Sequence, residues 1–515
     1  MGFFNKNYGL ALLAGAMCVF GFAPFGIFAI PVLALAALFA LWPCADSART
    51  AAWLGFAFGL GLFSAGIGWI YIAMHEYGGM PLLLALLAAL LFAAFWSLLP
   101  ALAGYIQARF GETHGVRFPV ANWLRITLVM PAVWALLEWF RGLLVTGFPW
   151  LVLGYAHSDS PLAGYAPVLG AYGVSLAAAL SAGLLLLLWR ARWSRQGQLA
   201  LVLLLSIWGL GALLRSVAWT QPHGEPFSVA LVQGNIAQNL KFNEDALVGT
   251  LETYRRLAEQ NPARLTVLPE TALPLLRHEV PENYVQRLRD HARQNGGDVL
   301  VGVFVRNNGS YYNSVFTLGT ADEQQYHKQH LVPFGEFIPL RPLLGWLING
   351  VLDIPMGDLA RGDVLQAPLA VAGQQVAVNI CYEDVFGEEI IRALPQATLL
   401  VNVTNDAWYG NSPVAAQHNQ IAQLRALETG RMMLRATNTG VTSIIGANGR
   451  VLQQLPQHQE AVLKGMAQGY EGITPYVRWG NAAVMLLIAL MLAYAWARRK
   501  TPPLPQAGEG RGEGM

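Results

Sequence analysis

Charged side chains are scarce in this chain. Asp, Glu, Lys and Arg make up 12% of its 515 residues, whereas hydrophobic residues make up 54%. A mean hydropathy of +0.39 is too apolar for an ordinary soluble protein. The net charge is only +2, and no basic stripe with interleaved aromatic residues occurs, so we expect no nucleic-acid partner. No His and Cys cluster has the spacing of metal ligands, and we expect neither a metal nor a cofactor.

Cysteine is also rare, with three residues in the chain: Cys18, Cys44 and Cys381. Cys381 stands alone in "NICYEDVF" (379–386), between a hydrophobic run and a group of acidic residues. A disulfide needs a partner, and a structural cysteine needs no acidic neighbours. We therefore treat Cys381 as a candidate nucleophile.

Long apolar stretches fill the two ends of the chain. A bilayer-spanning helix needs roughly 20 apolar residues. Stretches of this kind lie at Tyr8–Phe22, Phe25–Trp42, Trp53–Met74, Leu82–Gln107, Leu124–Val145, Pro167–Trp189, Leu199–Leu214 and Asn481–Trp496. The segment "FAPFG" (22–26) offers a turn, which favours two spans over one between residues 8 and 42. The sequence therefore predicts eight transmembrane helices.

The basic residues of the short loops predict the orientation of these spans. They fall on one side of the membrane, at Lys6, Arg49, Arg109, Arg117, Arg190, Arg192, Arg195, Arg498, Arg499 and Lys500. Cytoplasmic loops carry such an excess, so both termini are expected in the cytoplasm. We predict a seven-helix membrane domain (1–219), an extracytoplasmic domain (220–478), an eighth helix with a basic cytoplasmic end (479–500) and a disordered tail (501–515). In a bacterium this places residues 220–478 on the periplasmic side of the inner membrane.

The predicted outer domain alternates between strand and helix patterns. Strands are predicted at 227–233, 264–269, 298–305, 312–319, 374–380, 398–404 and 440–446, and helices at 244–260, 282–294 and 415–429. This order is typical of a layered α/β or α+β domain.

Three chemically capable residues lie at or near predicted strand ends: Glu270, Lys328 and Cys381. A thiol with a pKa near 8.5 needs a base or a cation to become nucleophilic. Glu270 can act as that base, and Lys328 can donate to an oxyanion together with the Tyr382 N–H. Taken singly, each residue has a more ordinary interpretation. Cys381 could be a small buried hydrophobic residue, Glu270 a turn residue and Lys328 a solvated surface residue. Their joint occurrence at strand ends favours catalysis.

The fifth predicted span contains "EWFRG" (138–142). Glu138 and Arg141 are three residues apart and can pair on one helix face. Two interpretations stay open, an interfacial pair or a contact with a lipid headgroup or substrate, because ionisable residues within spans are usually functional.

Three motifs, "LPETA" (268–272), "YHKQHLVPFGEFIP" (326–339) and "NICYEDVF" (379–386), resemble the catalytic signatures of the nitrilase superfamily. Together with "GFAPFG", "TGFPW", "VQGNIAQ", "NDAWYG" and "RALETGRMMLRATNTG", they make nearly the whole chain similar to the apolipoprotein N-acyltransferase family. The resemblance implies a multi-span helical membrane domain with an αββα sandwich. It also implies a triad of Glu270, Lys328 and Cys381.

The resemblance further implies supporting roles for Glu336, Tyr382 and Glu383. Phe242, in "NLKFNED", stands where this family is expected to have tryptophan. Substrate contacts are predicted at Glu138, Arg141, Phe242, Asn313, Trp408 and Tyr409.

The function implied is acyl transfer in two steps. A membrane phospholipid would donate an acyl chain to Cys381, forming a thioester. The α-amine of a diacylglyceryl-modified apolipoprotein would then accept the chain as an amide. Two alternatives remain at this point: a membrane-anchored nitrilase-type amidase that uses water, and a transporter whose outer domain binds ligand.

Overall fold

The computed structural model describes residues 2–110, 122–192, 194–338 and 358–499. The predicted disordered tail (501–515) lies outside these residues, as do the loop residue Arg117 and the basic residue Lys500.

Helices occur within or across all eight predicted spans. The longer helices of the described chain are α1 (Gly2–Met17), α2 (Ala29–Leu41), α3 (Ala48–Ile67), α4 (Leu82–Arg109), α5 (Met130–Arg141), α6 (Ala166–Ala191), α7 (Arg195–Arg215), α8 (Glu244–Glu259), α9 (Glu282–Gln294), α10 (Val414–Thr429) and α11 (Ala482–Arg499). Short helical turns lie at Cys18–Gly21, Trp42–Cys44, Ile70–Ile72, Ala73–Tyr77, Asn122–Leu124, Arg125–Val129, Leu153–His157, Pro161–Tyr165, Gln238–Lys241, Cys381–Val385, Gly387–Ile390, Ile391–Ala393, Asp406–Tyr409 and Pro475–Trp479.

Five helical segments are long and apolar enough to cross a membrane, namely Ala48–Ile67, Leu82–Arg109, Asn122–Arg141, Pro161–Ala191 and Arg195–Arg215, and two shorter apolar helices lie at Ala29–Cys44 and Ala482–Arg498. Leucines point outward from α4 and α7; Leu83, for example, is 82% exposed. Such an apolar outer surface is suited to lipid. The crossing count of eight stays a prediction.

Glycines let the membrane helices approach closely. A Cβ added at Gly61 of α3 would stand 2.0 Å from the Leu12 carbonyl oxygen, and one at Gly55 would stand 2.1 Å from that of Pro100. Small residues at helix contacts are typical of membrane bundles. The glycines of α3 therefore fix its packing against α1 and α4.

Two sheets form the domain that follows α7. Their strands are β1 (Thr220–Gln233), β2 (Leu265–Val267), β3 (Leu273–Leu276), β4 (Asp298–Asn307), β5 (Ser310–Gly319), β6 (Gln325–His327), β7 (Leu369–Val371), β8 (Gln374–Ile380), β9 (Leu399–Thr404), β10 (Met433–Thr437), β11 (Ser443–Ile445), β12 (Val451–Gln454) and β13 (Ala461–Gly472). One sheet has the order β13-β1-β2-β4-β5-β6, with β3 beside β4, and the other has the order β12-β11-β10-β9-β8-β7.

The two sheets pack face to face, and helices cover their outer faces. Val229 and Val267 of one sheet share a buried core with Val378 and Val401 of the other. Helices α8 and α9 cover the first sheet, and α10 covers the second. This α/β architecture with a helical membrane region confirms the predicted fold class, including the αββα layers.

Helix α10 also lies against the membrane helices. Its buried Gln417 accepts hydrogen bonds from Trp69 Nε1 at 3.3 Å and from Trp150 Nε1 at 2.7 Å. One apolar core continues from the membrane helices into the sheet domain, where it includes Tyr382 and Leu424. The two parts of the chain are therefore joined by both apolar and buried polar contacts.

Candidate active site

Cys381 lies at the sharp turn where β8 ends. Its φ is +54°, in the left-handed region that non-glycine residues rarely adopt. The side chain is partly buried and packs against two cores, one between the sheets and one continuous with the membrane helices. The turn therefore presents the thiol at the junction of the two domains.

Glu270 follows β2 and is buried. Its Oε1 accepts a hydrogen bond from Asn313 Nδ2 at 2.7 Å, and its Oε2 accepts one from the Asn405 backbone N–H at 2.8 Å. The buried Lys241 side chain donates a hydrogen bond from Nζ to the Glu270 main-chain oxygen at 3.0 Å. Burial lowers the pKa of Lys241 to about 8. The carboxylate is thus held rigidly at the strand end, as a general base requires.

Lys328 follows β6 and is 1% exposed. Its Nζ lies 3.0 Å from Glu336 Oε1 and 3.4 Å from Glu270 Oε1. The other oxygen of Glu336 accepts from the Val332 N–H at 2.8 Å. The structure therefore brings Glu270, Lys328 and Glu336 together, as the sequence motifs imply.

Asn313 of β5 connects the two carboxylates. Its Nδ2 donates to Glu270 Oε1 at 2.7 Å and to Glu336 Oε1 at 3.1 Å. Since both oxygens also face the Lys328 ammonium, one amide and one cation share the space between two negative charges. The substrate contact of Asn313 stays a prediction, and the structure places its amide between the two acidic side chains.

The charges around the thiol set its protonation. Burial and the negative charge of Glu270 raise the pKa of Cys381, and the Lys328 ammonium only partly offsets them. For Lys328, burial lowers the pKa but Glu336 and Glu270 outweigh it, so the pKa lies well above its usual value. Cys381 is therefore a neutral thiol at rest beside a charged lysine, and it needs a base to become nucleophilic.

The buried carboxylate of Glu383 stabilises the turn at Cys381 through hydrogen bonds. Its carboxylate accepts hydrogen bonds from the backbone N–H groups of Ile380 at 2.6 Å, Gln329 at 2.6 Å and His330 at 3.1 Å, and from the Tyr326 hydroxyl at 3.0 Å. Burial raises its pKa to about 7, against the effect of these backbone hydrogen bonds and of the Lys328 charge. One side chain therefore ties the end of β8 to the loop that carries the lysine.

Tyr382 faces the membrane domain. Its ring lies parallel to that of Trp150, with centroids 6.3 Å apart, and stands edge-on to Phe386 at 5.2 Å. Trp69 adds to this aromatic layer, 5.6 Å from Trp150 and 4.8 Å from Tyr409. An aromatic layer thus separates the nucleophile from the membrane helices.

The remaining predicted substrate residues lie around this site at different places. Trp408 stacks edge-on against Tyr77 at 5.9 Å, next to the Tyr409 contact. Phe242 is 41% exposed and lies 6.5 Å from the Phe304 ring, just after buried Lys241. Phe242 is therefore exposed, whereas Trp408 is half-buried.

Glu138 and Arg141 lie deeper, inside the membrane domain. Glu138 Oε1 accepts from the Leu153 N–H at 3.0 Å, and Arg141 donates to the Trp150 carbonyl oxygen. Both are buried and bond to the backbone of the loop after α5. Arg141 connects to the candidate catalytic turn through Trp150, whose ring stacks on Tyr382.

A buried charged cluster behind Cys381 was not expected from the sequence. It consists of Asp384, Asp406, His418 and Arg435, in contact through four ion pairs of 2.7–3.2 Å. Its members come from four separate segments, and Arg435, which follows the apolar residues of "MML" (432–434), is the member whose sequence context could have indicated a buried charge. Among the described residues, no group of three or more His, Cys, Asp or Glu side chains could hold a metal ion.

Comparison with known proteins agrees with this organisation. Residues 14–184 match the apolipoprotein N-acyltransferase N-terminal domain, and residues 228–468 match the carbon-nitrogen hydrolase family. The apolipoprotein N-acyltransferase of Nitrosomonas europaea is 50% identical over 97% of this chain and 99% of its own length. The apolipoprotein N-acyltransferase of Ralstonia nicotianae is 44% identical over 95% of this chain and 93% of its own length. Among solved structures, a CN-hydrolase superfamily protein from Xanthomonas campestris is 18% identical with a TM-score of 0.35, covering 55% of this chain and 99% of its own.

Proposed function

This chain belongs to the apolipoprotein N-acyltransferase family, and we propose that it moves an acyl chain from a membrane phospholipid, through a thioester on Cys381, to the N-terminal amine of a diacylglyceryl-modified apolipoprotein. It is an acyltransferase of bacterial lipoprotein biosynthesis with a carbon-nitrogen hydrolase domain and apolar membrane helices. Family membership leaves the transporter hypothesis without support.

The first step forms the thioester. Glu270 takes the thiol proton while Cys381 Sγ attacks the ester carbonyl carbon of the lipid. The Lys328 ammonium and the backbone N–H that follows the nucleophile stabilise the oxyanion. The C–O bond then breaks, Glu270 returns the proton to the leaving oxygen, and a lysophospholipid departs.

The second step forms the amide. The neutral α-amine of the acceptor attacks the thioester carbonyl, and Glu270 takes a proton from the nitrogen. The C–S bond breaks and the proton returns to sulfur, which restores the thiol. An amide is more stable than a thioester, so this step drives the cycle forward.

One observation carries the choice of a lipid donor: Cys381 packs against the apolar core that continues into the membrane helices. The Trp69, Trp150 and Tyr409 rings line the same side. The thiol therefore borders an apolar environment on the side of the membrane helices, which favours an acyl chain over a polar substrate. A water-using amidase would gain nothing from this arrangement.

The orientation is part of the proposal. The basic loops favour cytoplasmic termini and a periplasmic catalytic domain in the bacterial inner membrane. Both substrates are anchored in the outer leaflet in that arrangement, and they reach the site by lateral diffusion.

A donor assay tests the proposal against the amidase alternative. Purified protein receives a phospholipid with a radiolabelled acyl chain, with and without a diacylglyceryl-cysteine lipopeptide, and Cys381→Ala is the control. We expect label in the lipopeptide as an amide and equal release of lysophospholipid. Free fatty acid at the same rate with and without the lipopeptide would instead support the amidase.

A further inference from the structure

The backbone of Cys381 is held in an unfavourable conformation. A residue with a Cβ is strained at φ +54°, and such strain persists only where the surroundings enforce it. The direction of the thiol depends on this turn, because Cβ leaves the backbone there. Whatever holds the turn therefore also aims the nucleophile.

Two side chains hold the carbonyl of this strained residue. Asn402 of β9 donates from Nδ2 to Cys381 O at 3.1 Å, and His418 Nε2 lies 3.2 Å from the same oxygen. Asn402 lies on a strand of the second sheet, and His418 lies on α10, the helix that covers that sheet. The carbonyl of the turn is thus fixed by two side-chain contacts.

The imidazole of His418 is itself fixed by two carboxylates. Its Nε2–H is shared between Asp384 Oδ1 at 2.7 Å and the Cys381 carbonyl oxygen at 3.2 Å, and its Nδ1 lies 3.1 Å from Asp406 Oδ1. An ionised carboxylate only accepts hydrogen bonds, so each ring nitrogen must carry a proton. His418 is therefore an imidazolium.

The second oxygens of both carboxylates are occupied by Arg435. Its guanidinium lies 3.1 Å from Asp384 Oδ2 and 3.2 Å from Asp406 Oδ2, and it also donates to Asn402 Oδ1 at 2.7 Å. Two negative and two positive charges thus balance in a cluster whose side chains are at most 3% exposed. Balanced, hydrogen-bonded charges of this kind form a rigid unit.

We propose that His418 is a positioning residue for Cys381 in the proposed acyl transfer: as an imidazolium locked between two carboxylates, it holds the Cys381 carbonyl and thereby the turn that presents the thiol. The direction of its pKa agrees. Burial and the Arg435 charge lower the pKa of His418, but Asp384 and Asp406 outweigh them and raise it. The cluster in turn rests on the membrane domain, because the His418 ring packs on Trp150 at 5.4 Å.

The inference rests on the proposed function, and the test separates the two. His418→Gln keeps a side chain of similar size but cannot donate to both carboxylates. Single-turnover formation of the acyl-enzyme is measured at saturating phospholipid and per folded, monodisperse protein, so that lower yield does not count as a lower rate. His291→Gln, the same substitution on the distant helix α9, is the matched control.

We expect His418→Gln to slow acyl-enzyme formation about 100-fold, the scale of a 1 Å misplacement of a reacting group. The KM for phospholipid should stay within about twofold of the wild-type value, because His418 does not touch substrate. Asp406→Asn, which removes the charge on the other side of the ring, should have the same effect. The double variant should be no slower than either single one, since both act through one unit.

Two results would overturn the inference. One is a wild-type acylation rate in folded His418→Gln or Asp406→Asn protein. The other is a rise in KM with no loss of the saturated rate, which would mean that His418 acts in binding. If wild-type protein itself formed no acyl-enzyme, the proposed function would fail instead.

Discussion

The Tyr382 hydroxyl donates a hydrogen bond to the Gly147 main-chain oxygen at 3.1 Å, across 235 residues of sequence. This bond joins the residue after the nucleophile to a loop of the membrane domain. The Tyr382 ring adds contacts to Trp150 and Phe386. The Tyr382 side chain therefore couples the position of the candidate catalytic turn to the membrane domain.

Tyr382→Phe should remove this hydrogen bond and leave the ring in place. We expect a loss of about 0.5–1.5 kcal/mol in the free energy of unfolding and activity within a few-fold of wild type, because the backbone N–H is kept. Tyr382→Ala also removes the ring and should cost about 3–5 kcal/mol. Thermal unfolding in detergent measures both. Equal effects of the two substitutions would mean that the ring contributes no packing.

Glu270→Gln should have opposite effects on transfer and on alkylation. The negative charge of Glu270 raises the pKa of Cys381, so its removal should lower that pKa and let the thiolate form at lower pH. The rate of alkylation by iodoacetamide, followed against pH, should therefore shift to lower pH. Acyl transfer should nevertheless be lost, because no base remains.

Lys328→Met should shift the pH dependence of Cys381 alkylation in the direction opposite to Glu270→Gln. Loss of the cation should raise the pKa of Cys381 further and move alkylation to higher pH. It should also remove oxyanion stabilisation of about 3–4 kcal/mol. An unchanged alkylation profile in both variants would show that neither charge acts on the thiol.

Asn313→Leu should test the amide between the two carboxylates. It removes the donors to Glu270 and Glu336 at nearly constant volume, and hydrogen bonds to charged groups contribute about 1.5–3 kcal/mol each. We expect kcat/KM to fall at least about tenfold. Asn313→Asp should be worse, because it places a third carboxylate beside one lysine. Activity of Asn313→Asp above that of Asn313→Leu would contradict this role.

Thiol labelling should report the orientation of the domain. A membrane-impermeant maleimide applied from outside should label partly buried Cys381 in intact spheroplasts, and prior acylation should block it. Exposed Cys44 should react only after permeabilisation, and buried Cys18 poorly in either case. Labelling of Cys381 only after permeabilisation would place the domain in the cytoplasm and favour the amidase alternative.

The sequence predicted the elements whose pattern is local. Strand β8 and helix α9 have the expected bounds, because a short continuous apolar run and an amphipathic helical pattern can each be recognised in the sequence. Strand β13 was missed because it is a half-exposed edge strand with glycines and charges among its apolar residues. Strand β10 was missed because it contains Arg435, whose charge is compensated only by residues distant in sequence.

The same distinction applies to the site. Glu270, Lys328 and Cys381 could be predicted as candidates because each lies in a recognisable motif next to a strand. Two other features of the site could not be predicted, namely the position of Asn313 between two carboxylates and that of His418 beside the Cys381 carbonyl. Both depend on contacts between residues 23 to 43 positions apart in the sequence. No local pattern carries that information, since packing of the two sheets and α10 creates it.

The mass of intact protein tests the central claim most directly. Protein incubated with a phospholipid of defined acyl chains, without acceptor, should gain the mass of one acyl group, located by peptide mapping on Cys381. Addition of a diacylglyceryl-cysteine lipopeptide should remove that mass and transfer it to the peptide amine, and Cys381→Ser should show neither event. Transfer to the lipopeptide without any acyl adduct on Cys381, or at a wild-type rate in Cys381→Ser, would contradict the account.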